Sequence, residues 1–154
     1  MPAAPMRSAL RPLIAIVVLP LLLLATSAWA MNGFGGDDVL TRIPEPSLDF
    51  RARVTDTAMK SFEVRKVSFD GHVYLSGKVG EADVSIPFEK ISKVLFEPLG
   101  DGANRTLAVV TLRDGKQQAL HVKSGTPCYG LADFGNVRID VEDLRDATIL
   151  GRAD

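Results

Sequence analysis

The chain has 154 residues, 46% of them hydrophobic and 24% charged, a length for one ordinary domain and not for a large multidomain enzyme. A net charge of −1 without a polybasic tail excludes a nucleic-acid binder held by phosphate contacts. One cysteine and two histidines exclude an internal disulfide framework and a Cys-rich metal cage, and leave little material for catalysis.

The first thirty residues differ from the rest. Arg7 and Arg11 are their only charges, and an apolar run follows from Leu13 to Leu24, interrupted by Pro20. Ala28 and Ala30 then supply small residues in Ala25-Thr26-Ser27-Ala28-Trp29-Ala30. This order is that of an export signal, with cleavage expected after Ala30. A membrane anchor would need about 20 apolar residues, and this run is shorter and kinked by its proline. The expectation is therefore a signal peptide over 1–30 and an exported product, periplasmic or secreted, with no stable membrane span after cleavage. Losing Arg7 and Arg11 leaves 16 basic against 19 acidic residues, a net charge of −3.

Residues 31–47 read as a flexible lead, rich in Gly and Asp, with Pro44 and Pro46 favouring extended chain. A single β-rich domain is expected over 48–150, with a short tail at 151–154. Phe50, Ala52 and Val54 alternate with Arg51, Arg53 and Thr55, the pattern of a half-buried strand. Phe62 and Val64 continue it, and the phase slips before Val67, so a bulge is expected near Arg65 and Lys66. Asp70-Gly71 predicts a tight hairpin turn, with Val73 and Leu75 on the returning arm. Val84, Ile86 and Phe88 alternate next, and Pro87 marks an edge strand or a strand end. One helical turn is expected over Glu89–Ser92, with Ile91 inward, before Val94 and Phe96 resume a strand. Pro98 to Arg105 reads as a loop. Residues 107–112 are apolar on both faces, which predicts a central strand. Asp114-Gly115 predicts a second hairpin returning through Leu120 and Val122.

Residues 80–96 lie over residues 133–149 at an offset of 53. Apolar residues match at 84, 86, 88, 91, 94 and 96 against 137, 139, 141, 144, 147 and 149. The shared plan is an Asp-Gly hairpin, a third strand, a helical turn and a fourth strand, with a longer loop from Lys123 to Asp133 in the second copy. The expected fold class is all-β, a small sandwich or barrel of about eight to ten strands with an internal duplication. The expected core holds Val84, Ile86, Phe88, Val137, Ile139 and Val141, with Phe50, Phe62, Val109 and Leu120.

Phe134-Gly135-Asn136-Val137-Arg138-Ile139 followed by Asp143-Leu144 resembles exported bacterial β-rich domains of unassigned activity. The resemblance covers residues 80–96 and 133–149. It implies a fold class and an envelope or secreted setting, and it brings no catalytic residues.

His72 and His121 both read as outward-facing strand residues. The enzyme alternative is a small hydrolase or thiol enzyme using Cys128 and His121, seven residues apart across the expected loop. No paired ligand spacing supports a metal site, and no cofactor is expected. With no acid–base–nucleophile spacing, the chain reads as non-catalytic. Thr126-Pro127-Cys128-Tyr129-Gly130 is the most unusual stretch. Loops on rigid β scaffolds often carry binding. The candidate binding residues are Tyr129, Thr126 and Tyr74, the partner an envelope protein or a glycan, and the function that of an interaction module or a purely structural envelope protein.

Overall fold

The computed structural model describes residues 42–153. The expected signal peptide, and most of the expected flexible lead, lie outside the described residues. The described residues are nearly all β. Ten strands run β1 (Phe50–Asp56), β2 (Ser61–Phe69), β3 (Tyr74–Val79), β4 (Ala82–Pro87), β5 (Ile91–Pro98), β6 (Arg105–Leu112), β7 (Gln117–Lys123), β8 (Pro127–Ala132), β9 (Gly135–Asp140) and β10 (Leu144–Arg152). Two single 3-10 turns, Phe88–Lys90 and Val141–Asp143, lead into β5 and β10. Among the described residues no helix is long and apolar enough to cross a membrane.

All ten strands join one antiparallel sheet in the order β4-β3-β7-β6-β5-β10-β1-β2-β8-β9. The sheet curls into a half-barrel around its apolar face. Of the two all-β arrangements expected, the chain takes the barrel-like one, left open between β4 and β9. The period-two pattern explains the curl. Alternate residues of β1 and β6, Phe50, Ala52 and Val54 with Ala108 and Val110, are buried, and only a curved sheet can cover one face with itself. Phe88 sits in the middle, edge-on to Phe50 at 5.6 Å and to Phe69 at 5.8 Å.

The strand order is palindromic. Renumbering β1 to β5 as β6 to β10, and the reverse, turns the list into itself read backwards. Tyr74 and Pro127, Ala82 and Gly135, Phe88 and Val141, Ile91 and Leu144 each begin corresponding elements 53 residues apart. Phe88 N–H bonds Val73 C=O at 3.0 Å, and Val141 N–H bonds Thr126 C=O at 2.9 Å, at the same interval. The β3–β4 hairpin of the first half leans on β7 of the second, and the β8–β9 hairpin of the second leans on β2 of the first.

The hairpin expected at Asp114-Gly115 is found, with Leu120 and Val122 on its returning arm, whereas the hairpin expected at Asp70-Gly71 and its correspondence with Asp114-Gly115 are corrected. Asp70 (φ 51°) and Gly71 (φ 83°) do make a tight turn, but β2 and β3 meet only at the bridge Phe69–His72. Beyond it each strand leaves for a different ladder, because β2 already pairs with β1 and β8. The turn around Asp114-Gly115 instead matches the one between β1 and β2. Leu112 N–H bonds Lys116 C=O at 2.8 Å and Gly115 N–H bonds Leu112 C=O at 2.9 Å; Asp56, Lys60 and Met59 repeat those bonds at 2.9 and 3.0 Å. The two Asp-Gly steps thus hold different places in the two halves.

The stretch from Lys123 to Asp133 is not a long loop. Residues 124–126 are a short turn, and 127–132 form β8, paired with β2 and β9. Its inward residues Cys128, Gly130 and Ala132 are small because β8 passes close to β2: a Cβ on Gly130 would lie 2.6 Å from Val64 Cβ. Small residues beside a proline read as loop in the sequence and serve as a tight crossing in the fold.

The expected core is mostly found. Phe50, Ile86, Phe88, Leu120 and Val141 are buried, and Phe62, Val84, Val137 and Ile139 pack against the core while partly exposed. Val84, Val137 and Ile139 fall short because β4 and β9 are edge strands with one flank open. Val109 points outward between buried Ala108 and Val110. The bulge expected near Arg65 and Lys66 is present, with Lys66 at φ 50° and a register shift between Arg65 and Ser68. Part of the expected flexible lead lies against it. Pro46 is buried, Glu45 pairs with Lys66, and Asp49 Oδ1 accepts the Lys66 N–H at 2.8 Å. A bulge leaves a backbone donor without a ladder partner, and Asp49 supplies one.

Candidate functional site

A groove of about 650 Å³ opens on the outer side of the sheet where β1, β2, β8 and the end of β10 meet. Arg51, Glu63, Arg65, Asp133 and Arg152 give it charge; Val64, Leu131 and Ala153 give it apolar lining. Strand alternation places these residues. Arg51 and Arg53 stand outward because Phe50, Ala52 and Val54 take the core face of β1. Glu63 lies opposite Arg53, and Arg65 lies opposite Leu131 across the β2–β8 ladder. Arg152 lies opposite Phe50, and Ala153 N–H bonds Asp49 C=O at 2.9 Å, which fixes that wall.

The charges are unequally satisfied. Glu63 is shared by Arg51 at 2.9 Å and Arg53 at 3.7 Å. The guanidinium groups of Arg65 and Arg152 have no ion-pair or hydrogen-bond partner among the described residues. Asp133 lines the same groove and is also without an ion pair among the described residues. Two partnerless guanidinium groups on a concave surface give a local positive field in a chain whose net charge is −1.

The family described as "uncharacterised protein" matches residues 46–152. The chain belongs to that family. The match takes in all ten strands and every groove residue except Ala153. No curated protein and no solved structure matches the chain.

The residues singled out in the sequence stand elsewhere. Tyr129 is half-buried on β8, opposite Ser68 of β2 and Arg138 of β9. Thr126 ends the short turn before β8, where its backbone holds Lys123 and Val141. Tyr74 opens β3 opposite Pro87 and stacks on His72 at 4.8 Å with 14° between the rings. Tyr74 and Tyr129 belong to strands that do not pair, and neither lines the groove.

Cys128 and His121 are on opposite faces of the sheet. Cys128 is buried in the core at the place Leu75 holds 53 residues earlier, and burial pushes its thiol up to about 12. His121 lies between buried Leu120 and Val122 and therefore points outward, opposite Lys78 and Leu107. Their strands β8 and β7 are not neighbours. The arrangement does not bring a base to the thiol.

The groove arginines were visible in the sequence only as outward positions of an amphipathic strand. Arg152 fell in the expected tail. A signal was present: Arg51, Arg53 and Arg65 share one strand phase on either side of the β1–β2 turn, with Glu63 alone opposing them.

Proposed function

We propose that this chain is an exported, non-catalytic binding module of the cell envelope, built from two halves that arose by duplication. The groove carries the binding reading: it is concave, it is held on paired strands, and two of its guanidinium groups lack partners among the described residues. A backbone fixed in a ten-stranded sheet has little left to order when a ligand arrives. The n-region, apolar run and Ala28–Ala30 pattern supports export, and the repeated 53-residue interval supports duplication. The inward thiol and outward His121 favour binding over thiol chemistry.

Two experiments test the proposal. N-terminal sequencing of the product recovered outside the cytoplasm should start at Met31; a full-length chain retained in membranes after alkaline wash would refute export. Affinity capture from the native envelope should recover the same partners reproducibly, and recovery of none would remove the module reading.

A further inference from the structure

Resting on the module reading, we infer that the groove binds an acidic peptide segment, with Arg65 and Arg152 taking its carboxylates. Three features of the groove point to this ligand. Counting Arg53, four guanidinium groups face only two carboxylates, Glu63 and Asp133. Glu63 is occupied by Arg51 and Arg53, so Arg65 and Arg152 are the cations left to meet an incoming anion. A guanidinium fork matches a carboxylate with two parallel hydrogen bonds, a geometry a point charge cannot offer.

The remaining lining argues for a peptide over other anions. Leu131 and Ala153, both partly exposed, offer apolar contact between the charges, which suits a chain alternating acidic and small apolar side chains. Asp133, which also lines the groove, accepts a backbone N–H of such a chain and repels a ligand that is anionic all along its length. A nucleic acid is disfavoured because, among the described residues, no aromatic side chain lines the groove for base stacking. A flat lipid surface is disfavoured because the guanidinium groups stand in a concavity beside two acids.

The test is a fluorescence-anisotropy titration of protein purified from cells expressing the full chain. The probe is a labelled hexapeptide of alternating glutamate and alanine; the control has glutamine for glutamate. Saturable binding weakened by salt is expected for the first and none for the second. Arg65→Ala with Arg152→Ala should weaken binding by about tenfold or more, since each charged hydrogen-bonding group is worth a sizeable part of such an affinity. Lys60→Ala with Lys90→Ala removes the same charge outside the groove and should leave binding within about twofold. Equal weakening by both pairs, equal binding of the glutamine control, or no saturable binding overturns the inference. Inorganic phosphate or anionic vesicles that bind while the acidic peptide does not would overturn it too. Envelope partners captured equally by wild type and the double arginine variant would reject the groove while leaving the module reading standing. The four side chains are exposed, so unchanged unfolding midpoints should accompany every variant.

Discussion

Val94 of β5 stands directly opposite Ala147 of β10, and the two are 53 residues apart, the interval that also separates Tyr74 from Pro127 and Phe88 from Val141. The flanking pairs, Leu95 with Asp146 and Lys93 with Thr148, exchange into each other under the same shift. The centre of the palindromic sheet therefore passes between these two side chains. Both are buried, one large and one small, where the halves meet.

Opposite side chains at this spacing share one volume. Val94→Ala should destabilise by about 1–3 kcal/mol through an unfilled space, and Ala147→Val by about 1–3 kcal/mol through overpacking. The exchange of both should cost clearly less than their sum, with a coupling of about 1 kcal/mol or more. Urea unfolding of the four proteins measures it, and additive costs would place the two side chains in separate spaces.

Gly77 and Gly130 mark the two places where a hairpin of one half crosses a strand of the other. A Cβ on Gly130 would lie 2.6 Å from Val64 Cβ, and one on Gly77 would lie 2.5 Å from Leu120 Cδ1 and 2.7 Å from the His121 carbonyl oxygen. Both alanine substitutions should destabilise by about 1–3 kcal/mol. Val64→Gly, which removes the contacting Cβ, should reduce the cost of Gly130→Ala, whereas Val64→Ala keeps that Cβ and should not. Leu120→Ala should recover none of the Gly77→Ala loss, because the carbonyl remains. Chemical unfolding midpoints distinguish the two outcomes.

Met59, 63% exposed, holds φ 67° in the β1–β2 turn at the position that Gly115 takes, with φ 86°, in the matching β6–β7 turn. A side chain in the left-handed region carries strain that glycine does not. Met59→Gly should therefore raise stability by about 0.5–1 kcal/mol, whereas Gly115→Met should lower it by about 1 kcal/mol or more. Thermal unfolding of the two variants should move in opposite directions.

Cys128 has its thiol raised from 9.0 to about 12 by burial. The folded state thus holds the proton more tightly than the unfolded one. Its contribution to stability is full below about pH 9 and declines as pH rises towards about 12, at up to about 1.4 kcal/mol per pH unit. Cys128→Ala should flatten that alkaline slope. Thiol titration of the native protein near neutral pH should be slow and limited by opening of the fold, becoming fast only in denaturant.

Period-two alternation made β1 and β4 legible, because one residue in two must reach the core whatever its partner strand is, but β6, apolar on both faces, gave its inward phase wrongly through Val109. The bulge at Lys66 was legible because the apolar phase slips between Val64 and Val67. Pro87 was legible as an edge signal because it cannot donate to a ladder, and it closes edge strand β4. β8 was not legible. Gly130 has the composition of a loop, and only the approach of Val64 gives it a reason to be small. The groove escaped for a related reason: Arg65 and Arg152 are 87 residues apart, and neither is unusual in its own strand.

The sequence by itself determined that the chain is β and which residues of most strands face inward. These properties depend on neighbours along the chain, where alternation and turn chemistry act. The tertiary structure decided which strands pair: that β3 leans on β7, that β8 leans on β2, and that Val94 meets Ala147. Pairing is chosen by side-chain fit between strands distant in sequence, and an antiparallel ladder has the same backbone bonds whichever partner it takes. The same choice carried Cys128 into the core, turned His121 outward, and set Arg65 and Arg152 on one groove.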